Sequence, residues 1–299
     1  MNNSGVVNIY KEKGYTSSDV VSVVRKACGQ KAGHAGTLDP QAVGVLPVCI
    51  GKATKIADYI SGVKRYRAEL KLGVTTDTDD LTGRILTENP VNVSLDLLKK
   101  TALVFLGESL QTPPMYSAVK IGGKKLYELA RAGKTAERVP RTITISHINI
   151  VEFNTMSNTA VIDVTCSKGT YVRSLCADIG RALNCGGCMG DLIRTQSGPF
   201  HISESITLDR FKEYITDNQL SNILTPIEDV LPYNTVDAPF SEKNRIINGN
   251  PIPVNICKKS ESISEGDLVF LRLNGSSAGL YKRVGNVFKP RVMLTGNQI

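Results

Sequence analysis

The chain has no second cysteine pair, no paired histidines and no long apolar run, and each absence removes a class of protein. Its seven cysteines are scattered over positions 28, 49, 166, 176, 185, 188 and 257, an odd count that does not make a disulfide framework. Only Cys185 and Cys188 lie close together, and a four-ligand zinc site needs two more thiolates or imidazoles beside them. Reduced thiols are expected, and neither a metal nor an organic cofactor. The three histidines, His34, His147 and His201, fall in unrelated segments without HxH or HExxH spacing. The opening MNNSGVVNIYKEKG carries no charged leader before an apolar stretch, so neither a signal peptide nor a membrane span is expected, and the cytoplasm is the expected compartment. No internal repeat or low-complexity tract occurs.

What is present is enough chain for one large core, or for a main domain and a small second one: 299 residues. Lysine and arginine outnumber aspartate and glutamate 36 to 28, a net charge of +8. That balance suits a polyanionic partner, though many proteins with no such partner share it.

Hydrophobic periodicity sets out an alternation of strands and helices. Residues 5 to 10 read as a strand, and Thr16, Ser17 or Ser18 caps a helix through Val20, Val24 and Ala27. Tyr66, Ala68, Leu70 and Leu72 alternate with Arg67, Glu69 and Lys71, which predicts a half-buried strand. Ser94 opens a helix with Leu95, Leu98, Ala102 and Phe105 on its apolar side and Gly107 placed to end it. A further helix carries Leu126, Leu129 and Ala130 and stops near Gly133; residues 141 to 153 are strand-like. Alternation over 160 to 166 passes through Lys168-Gly169-Thr170 into helical spacing at Val172, Leu175, Cys176, Ile179 and Leu183. Tyr171 and Arg173 thus fall at a strand-to-helix junction. A helix follows Thr207, and three prolines between 226 and 239 mark a boundary, beyond which 267 to 273 and 279 to 284 read as strands.

Four segments have the residue types for chemistry, and each also has an ordinary structural reading. In the glycine-rich stretch from Gly33 to Pro47, Asp39 is the one acid, and Pro40 biases it toward an extended backbone. A carboxylate in such apolar company needs a cation or hydrogen-bond donors to stay charged; alternatively Asp-Pro merely turns the chain and His34 is a surface or capping residue. Lys64-Arg-Tyr-Arg67 interleaves cations with an aromatic that suits stacking on a base, or simply core packing. Tyr116 to Arg131, with Lys120 among its cations, suits phosphate or a solvated helix face. Arg173, in Ser167 to Arg173, has the fork geometry to pair with a buried acid, or is a structural arginine.

Taken in order, GHAGTLDP with PVCIGKATK, KRYRAELKLGVTTDTDD, PPMYSAVKIGGKKLYELAR and CSKGTYVRSLCADIG resemble the TruB family of bacterial tRNA pseudouridine-55 synthases over roughly residues 5 to 200. The resemblance implies Asp39 as the catalytic aspartate, Tyr66 as the tyrosine that stacks on the target base, and Arg173 as the arginine that pairs with the aspartate. It further implies His34, Tyr171 and Leu192 as substrate-contacting residues, with Lys120 and Lys11 as expected RNA contacts. Asp39 is left open as nucleophile or as base toward a sugar proton. The implied fold is α/β of the α+β kind, a mixed, mainly antiparallel sheet over residues 1–228, followed by a β-rich PUA-like RNA-binding module over 235–299. The implied partner is the T-arm loop of tRNA, without a guide RNA and with the protein as a monomer.

Two departures stand out: the first family motif reads Tyr10-Lys11-Glu12, and a segment with adjacent arginines reads Leu192-Ile193-Arg194. Competing readings are a tRNA chaperone, a guide-dependent synthase, and a glycosidase using Asp39 with Asp77 or Asp79.

Overall fold

Period-two alternation in the sequence becomes the two covered faces of one sheet. The computed structural model describes residues 4–60, 62–117 and 119–295, without side chains at 120, 121, 124, 125, 127 and 131. The first elements are β1 (Gly5–Lys11), α1 (Ser17–Cys28), β2 (Ala32–His34), β3 (Val43–Ile50) and β4 (Lys64–Leu72). A hairpin of β5 (Val74–Thr76) and β6 (Ile85–Glu88) leads to α2 (Leu95–Leu103) and β7 (Gly107–Gln111). The small hairpin β8 (Lys120–Ile121) and β9 (Lys124–Lys125) precedes α3 (Leu126–Arg131). Then come β10 (Arg141–Asn154), β11 (Thr159–Cys166), α4 (Val172–Ala182), β12 (Gly187–Ser197), β13 (Phe200–His201) and α5 (Leu208–Thr216).

Among the described residues, nine strands form the main sheet in the order β1-β3-β12-β4-β11-β10-β7, with β2 beside β3 and β13 beside β12. All its pairings are antiparallel except β3 with β12, so the sheet is mixed and mainly antiparallel. The pleat sends alternate residues to opposite faces. From β1 and β3, Val7, Ile9, Leu46, Val48 and Ile50 pack with α1 and α5. Ala68, Leu70 and Leu72 of β4 lie with Leu98 of α2 and Leu175 and Ile179 of α4.

The opposite residues, Val6, Val45 and Cys49, share a core with Phe270, Leu280 and Val292 of a second sheet. That sheet follows α6 (Ile227–Val230) and contains β14 (Asn234–Ala238), β15 (Ile252–Pro253), β16 (Leu268–Leu273), β17 (Ser276–Val284) and β18 (Val287–Met293), with α7 (Lys243–Ile247) after β14. The β-rich C-terminal part is therefore docked through buried apolar surface. Arg272 pairs with Glu228 across the seam, and Lys55 Nζ donates to Met293 O at 2.7 Å.

The helix after Ser94 differs from its expected extent. It ends at Leu103, and Gly107, at φ 96°, opens β7 instead of closing the helix. Leu95 is exposed, leaving Leu98 and Ala102 as the buried stripe. By contrast α1 starts where its cap residues place it: Thr16 accepts from Asp19 N, and Asp19 accepts in return from Thr16 N.

Where β3 and β12 run side by side, a glycine is required. Gly44 has φ 103°, and a Cβ there would sit 2.3 Å from the carbonyl oxygen of Arg194. Replacing it, Gly44→Ala, is expected to lower stability by about 1–3 kcal/mol through backbone strain and overpacking, read from the urea unfolding midpoint.

Candidate active site

The loop between β2 and β3 carries Asp39, and its path is held from both ends. At the start of α1, Ser17 Oγ donates to Leu38 O at 3.0 Å and accepts from Leu38 N at 2.8 Å. Lys11 Nζ donates to Pro40 O at 3.1 Å and to Tyr15 O at 2.6 Å. On the other side, Arg194 donates to Gly36 O at 3.1 Å, Thr37 O at 3.2 Å and Val45 O at 2.7 Å. With its main chain fixed, Asp39 leaves its side chain 44 % exposed, facing a cleft of about 590 Å³.

Arg173 stands at the second position of α4, where the strand-to-helix junction delivers it to the cleft floor. Its side chain is 6 % exposed, and its donors are distributed over three other segments. Nε lies 3.2 Å from Asp39 Oδ2 and Nη1 lies 3.3 Å from Asp80 Oδ2. Nη1 also donates to Thr78 O at 3.3 Å, and Nη2 donates to Tyr116 O at 2.7 Å. Asp80, 14 % exposed, is itself fixed, since Oδ1 accepts from Thr78 Oγ1, Thr82 N and Thr82 Oγ1. Gln111 holds the junction from behind: its amide donates to Tyr171 O at 3.1 Å and accepts from Tyr171 N at 2.8 Å. Tyr171 is the N-cap of α4 and has no capping bond from its own side chain.

The cleft brings together Asp39, Arg173, His34 and Leu192 of the expected residues. His34 Nδ1 is buried without a protein partner. Burial, aided by the charge of Arg194, lowers the His34 pKa and favours the neutral imidazole. Tyr66 lies beside the cleft on β4 without lining it, packed against the core that includes Leu38 and Ala42. Burial raises the pKa of its phenol, and Arg194, its register partner on β12, acts in the opposite direction. Tyr171 is half-buried at the head of α4 and does not line the cleft.

Of the expected RNA contacts, Lys11 is turned inward. Lys11 is wholly buried, and its ammonium is occupied by the carbonyls of Glu12, Tyr15 and Pro40, so in this structure it braces the Asp39 loop instead of meeting solvent. Lys120 lies on β8, and its side chain is outside the described part of the structure. The acids considered as a second carboxylate are also placed differently. Asp77 Oδ1 accepts from Arg84 N inside the β5–β6 turn, and it is Asp80 that meets the cleft arginine.

Asp80, Gln111, Lys64 and Arg194 went unassigned by sequence reasoning. Asp80 sits in the conspicuous run TTDTDD, but nothing local distinguishes it from its neighbours, because its partner lies 93 residues away. Lys64 is 5 % exposed and donates to Ser197 Oγ at 2.6 Å. Burial, reinforced by the charges of Arg194 and Lys168, pushes its pKa down to about 7, and burial takes Lys11 to about 8.

A mixed sheet carrying a carboxylate in an open cleft, backed by a buried arginine and a second acid, defines a site for carboxylate chemistry on a substrate large enough to span the cleft. Residues 25–172 match the family model described as TruB family pseudouridylate synthase, N-terminal domain, and residues 173–232 match the tRNA pseudouridylate synthase B C-terminal domain. The tRNA pseudouridine synthase B of Alkaliphilus oremlandii is 48 % identical over 84 % of this chain and 84 % of its own. That of Clostridium novyi is 48 % identical over 82 % of this chain and 84 % of its own. The chain belongs to the TruB family of pseudouridylate synthases. Among solved structures, a Cbf5-Nop10-Gar1 complex contains a chain with TM-score 0.75 and 27 % identity, covering 98 % of this chain and 85 % of that one. An H/ACA RNP bound to a substrate RNA containing 2′-deoxyuridine gives TM-score 0.72 and 25 % identity, covering 98 % and 86 %.

The buried lysines give stability a definite dependence on pH. Below about pH 7 Lys64 is protonated in both states, and folding bears the full cost of burying its charge. As pH rises from 7 toward the ordinary lysine value of 10.5, the folded state has released the proton and the unfolded chain still holds it. Stability therefore rises across that window, with a slope approaching about 1.4 kcal/mol per pH unit for the one proton. Urea unfolding as a function of pH should show this rise, part of it shared with Lys11 above about pH 8, and Lys64→Met should remove the portion that begins near pH 7.

Proposed function

We propose that this protein isomerises a uridine in the T-loop of tRNA, at position 55, to pseudouridine, with Asp39 as the essential carboxylate. The observation that carries the reading is the asymmetric pairing of Arg173: it holds Asp39 at 3.2 Å while Asp39 stays 44 % exposed toward the cleft. A carboxylate so held is fixed in place by its cation and still faces a substrate. The reaction breaks the C1′–N1 glycosidic bond, turns the uracil and joins C5 to C1′, and the proton on C5 is lost as one is gained at N1. Nothing is oxidised and no group leaves, so the chemistry calls for no cofactor.

The base must leave its stack before Asp39 can reach the sugar, at a cost of a few kcal/mol. Stacking on Tyr66 offsets ~1–3 kcal/mol of that cost. His34 offers its unpartnered nitrogen to the flipped-out loop, and Leu192 supplies an apolar wall. Tyr171 and Lys120 contact the RNA further out. Ionised Asp39 then attacks C1′ as nucleophile or takes a proton from the sugar. Residues 1–228 form the catalytic domain, and 235–299 form a PUA-like module that binds RNA. The protein works as a monomer and reads its substrate without a guide RNA.

The deciding experiment is a pseudouridine assay, scored by position, on an unmodified tRNA transcript with no guide RNA present. Wild type should form product at the T-loop uridine, whereas Asp39→Asn should bind the transcript and lose at least ~10³-fold in rate. Product from both proteins would remove Asp39 from the chemistry. Binding without product from folded wild type would instead favour a tRNA chaperone or a partner-dependent enzyme. Affinity for the transcript should fall with salt at a log–log slope of about 0.7–0.9 per phosphate contacted; a flat response in filter binding would count against RNA as the partner.

A further inference from the structure

Among the described residues, Arg194 is the largest side chain buried from solvent, at 1 % exposure. Burying a guanidinium is costly unless its donors are used, and a neutral amide could serve one or two carbonyls with less loss of hydration. Here Nε, Nη1 and Nη2 each take a different main-chain carbonyl: Val45, Thr37 and Gly36. Those carbonyls flank the Asp39 loop on both sides, two on the way in and one at the start of β3.

The surrounding sequence is shaped around this group. Gly36 has φ 112°, and a Cβ there would stand 3.7 Å from both Arg194 Nη1 and Lys64 Nζ. Gly44 has no room for a Cβ because the Arg194 main chain lies against it. The β4–β12 register shifts between Met189 and Leu192 and again between Arg194 and Gln196. Such bulges redirect side chains, and here they bracket Leu192 at the cleft wall and Arg194 beneath the loop. Ser17 holds Leu38 and Lys11 holds Pro40 on either side of Asp39, and Arg194 is what fixes Gly36 and Thr37 just before them.

We propose that Arg194 is a positioning residue for the reaction: its three-carbonyl brace sets where the Asp39 carboxylate stands. The proposal rests on the reading of Asp39 as the reacting carboxylate. A displacement of the loop by about 1 Å costs on the order of 10²-fold in rate, so the brace should appear in the chemical step more than in binding.

The test compares Arg194→Gln and Arg194→Lys with wild type. Single-turnover pseudouridine formation on a tRNA transcript gives the rate, filter binding gives affinity, and NMR titration follows His34, one of only three histidines. With Arg194→Gln the rate should fall roughly 10- to 100-fold, transcript affinity should hold, and the His34 titration should move up because a repelling charge has gone. With Arg194→Lys the charge remains and the fork is lost. The His34 titration should then stay near wild type and the rate should recover only in part.

A folded Arg194→Gln protein with wild-type rate and unmoved His34 would overturn the proposal. So would a rate loss no larger than the loss of folded protein. If Arg194→Gln does not fold, Arg194→Lys decides: a rate equal to wild type overturns the brace. Wild type inactive on the transcript would indict the proposed function instead. Hydrogen exchange at amides 36 to 42 would then test the brace alone, and exchange no faster in Arg194→Lys than in wild type would reject it.

Discussion

A guanidinium shielded from water must find acceptors for its donors, and the site is organised by how Arg173 finds them. Asp80 takes one side of the fork in a polar niche where its other oxygen is filled by Thr78 and Thr82. Main-chain oxygens of Thr78 and Tyr116 take further donors. Nε faces Asp39, which therefore meets a cation already fixed in place. Losing one partner of a buried pair is far more costly than the pair's net contribution, so Asp80 serves to keep Arg173 charged and oriented whatever Asp39 does. Of the two acids, the shielded one is structural and the exposed one is free to react. Four segments distant in sequence meet at this one side chain: the 33–42 loop, the β5–β6 turn, the segment after β7 and the head of α4.

The sheet explains why these segments converge. Antiparallel pairing runs from β12 through β4, β11 and β10 to β7, and the single parallel contact joins β12 to β3. That contact is short, involving Ile193 with Val43 and Arg194 with Gly44, and it lies directly below the Asp39 loop. The C-terminal sheet packs on the face of β1 and β3 opposite α1 and α5, which clamps the strands flanking the loop from both faces.

Regular elements were legible because their periodicity is local. The alternation of β4, the caps of α1 and α4's helical spacing all appear where the residues imply. Asp39, Tyr66 and Arg173 were named through resemblance of whole motifs, and the geometry adds the 3.2 Å contact of Arg173 with Asp39 and a Tyr66 that stands beside the cleft without lining it. What could not be read has a physical cause in each case. Strand β12 escaped notice because two register shifts break its period of two. Asp80 and Gln111 act through partners 93 and 60 residues away. Lys11 was taken for an RNA contact because a lysine beside a motif looks exposed, yet three carbonyls draw it inside. Gly107 fits a helix terminator as well as it fits the first residue of a strand, and only the pairing with Ile145 distinguishes the two.

Burial of cations beside a reactive carboxylate has a particular value when the substrate is a polyanion. RNA brings a phosphate with every nucleotide, and any accessible lysine or arginine near Asp39 would be drawn to it. Arg173, Arg194, Lys64 and Lys11 are all shielded, and their hydrogen bonds go to main-chain oxygens, to Ser197 and to the two cleft acids. A phosphate cannot displace those partners without opening the protein. The shielded set keeps its place around the cleft whether or not a polyanion is near. Fixed charges of this kind need no reorganisation at the moment of reaction. The same shielding accounts for the depressed pKa of Lys64 and Lys11: the desolvation that protects them from phosphate also weakens their hold on a proton. Arginine, which keeps its proton under such burial, stands against the Asp39 carboxylate at Arg173, while Lys11 reaches only the main chain of the loop and Lys64 reaches Ser197.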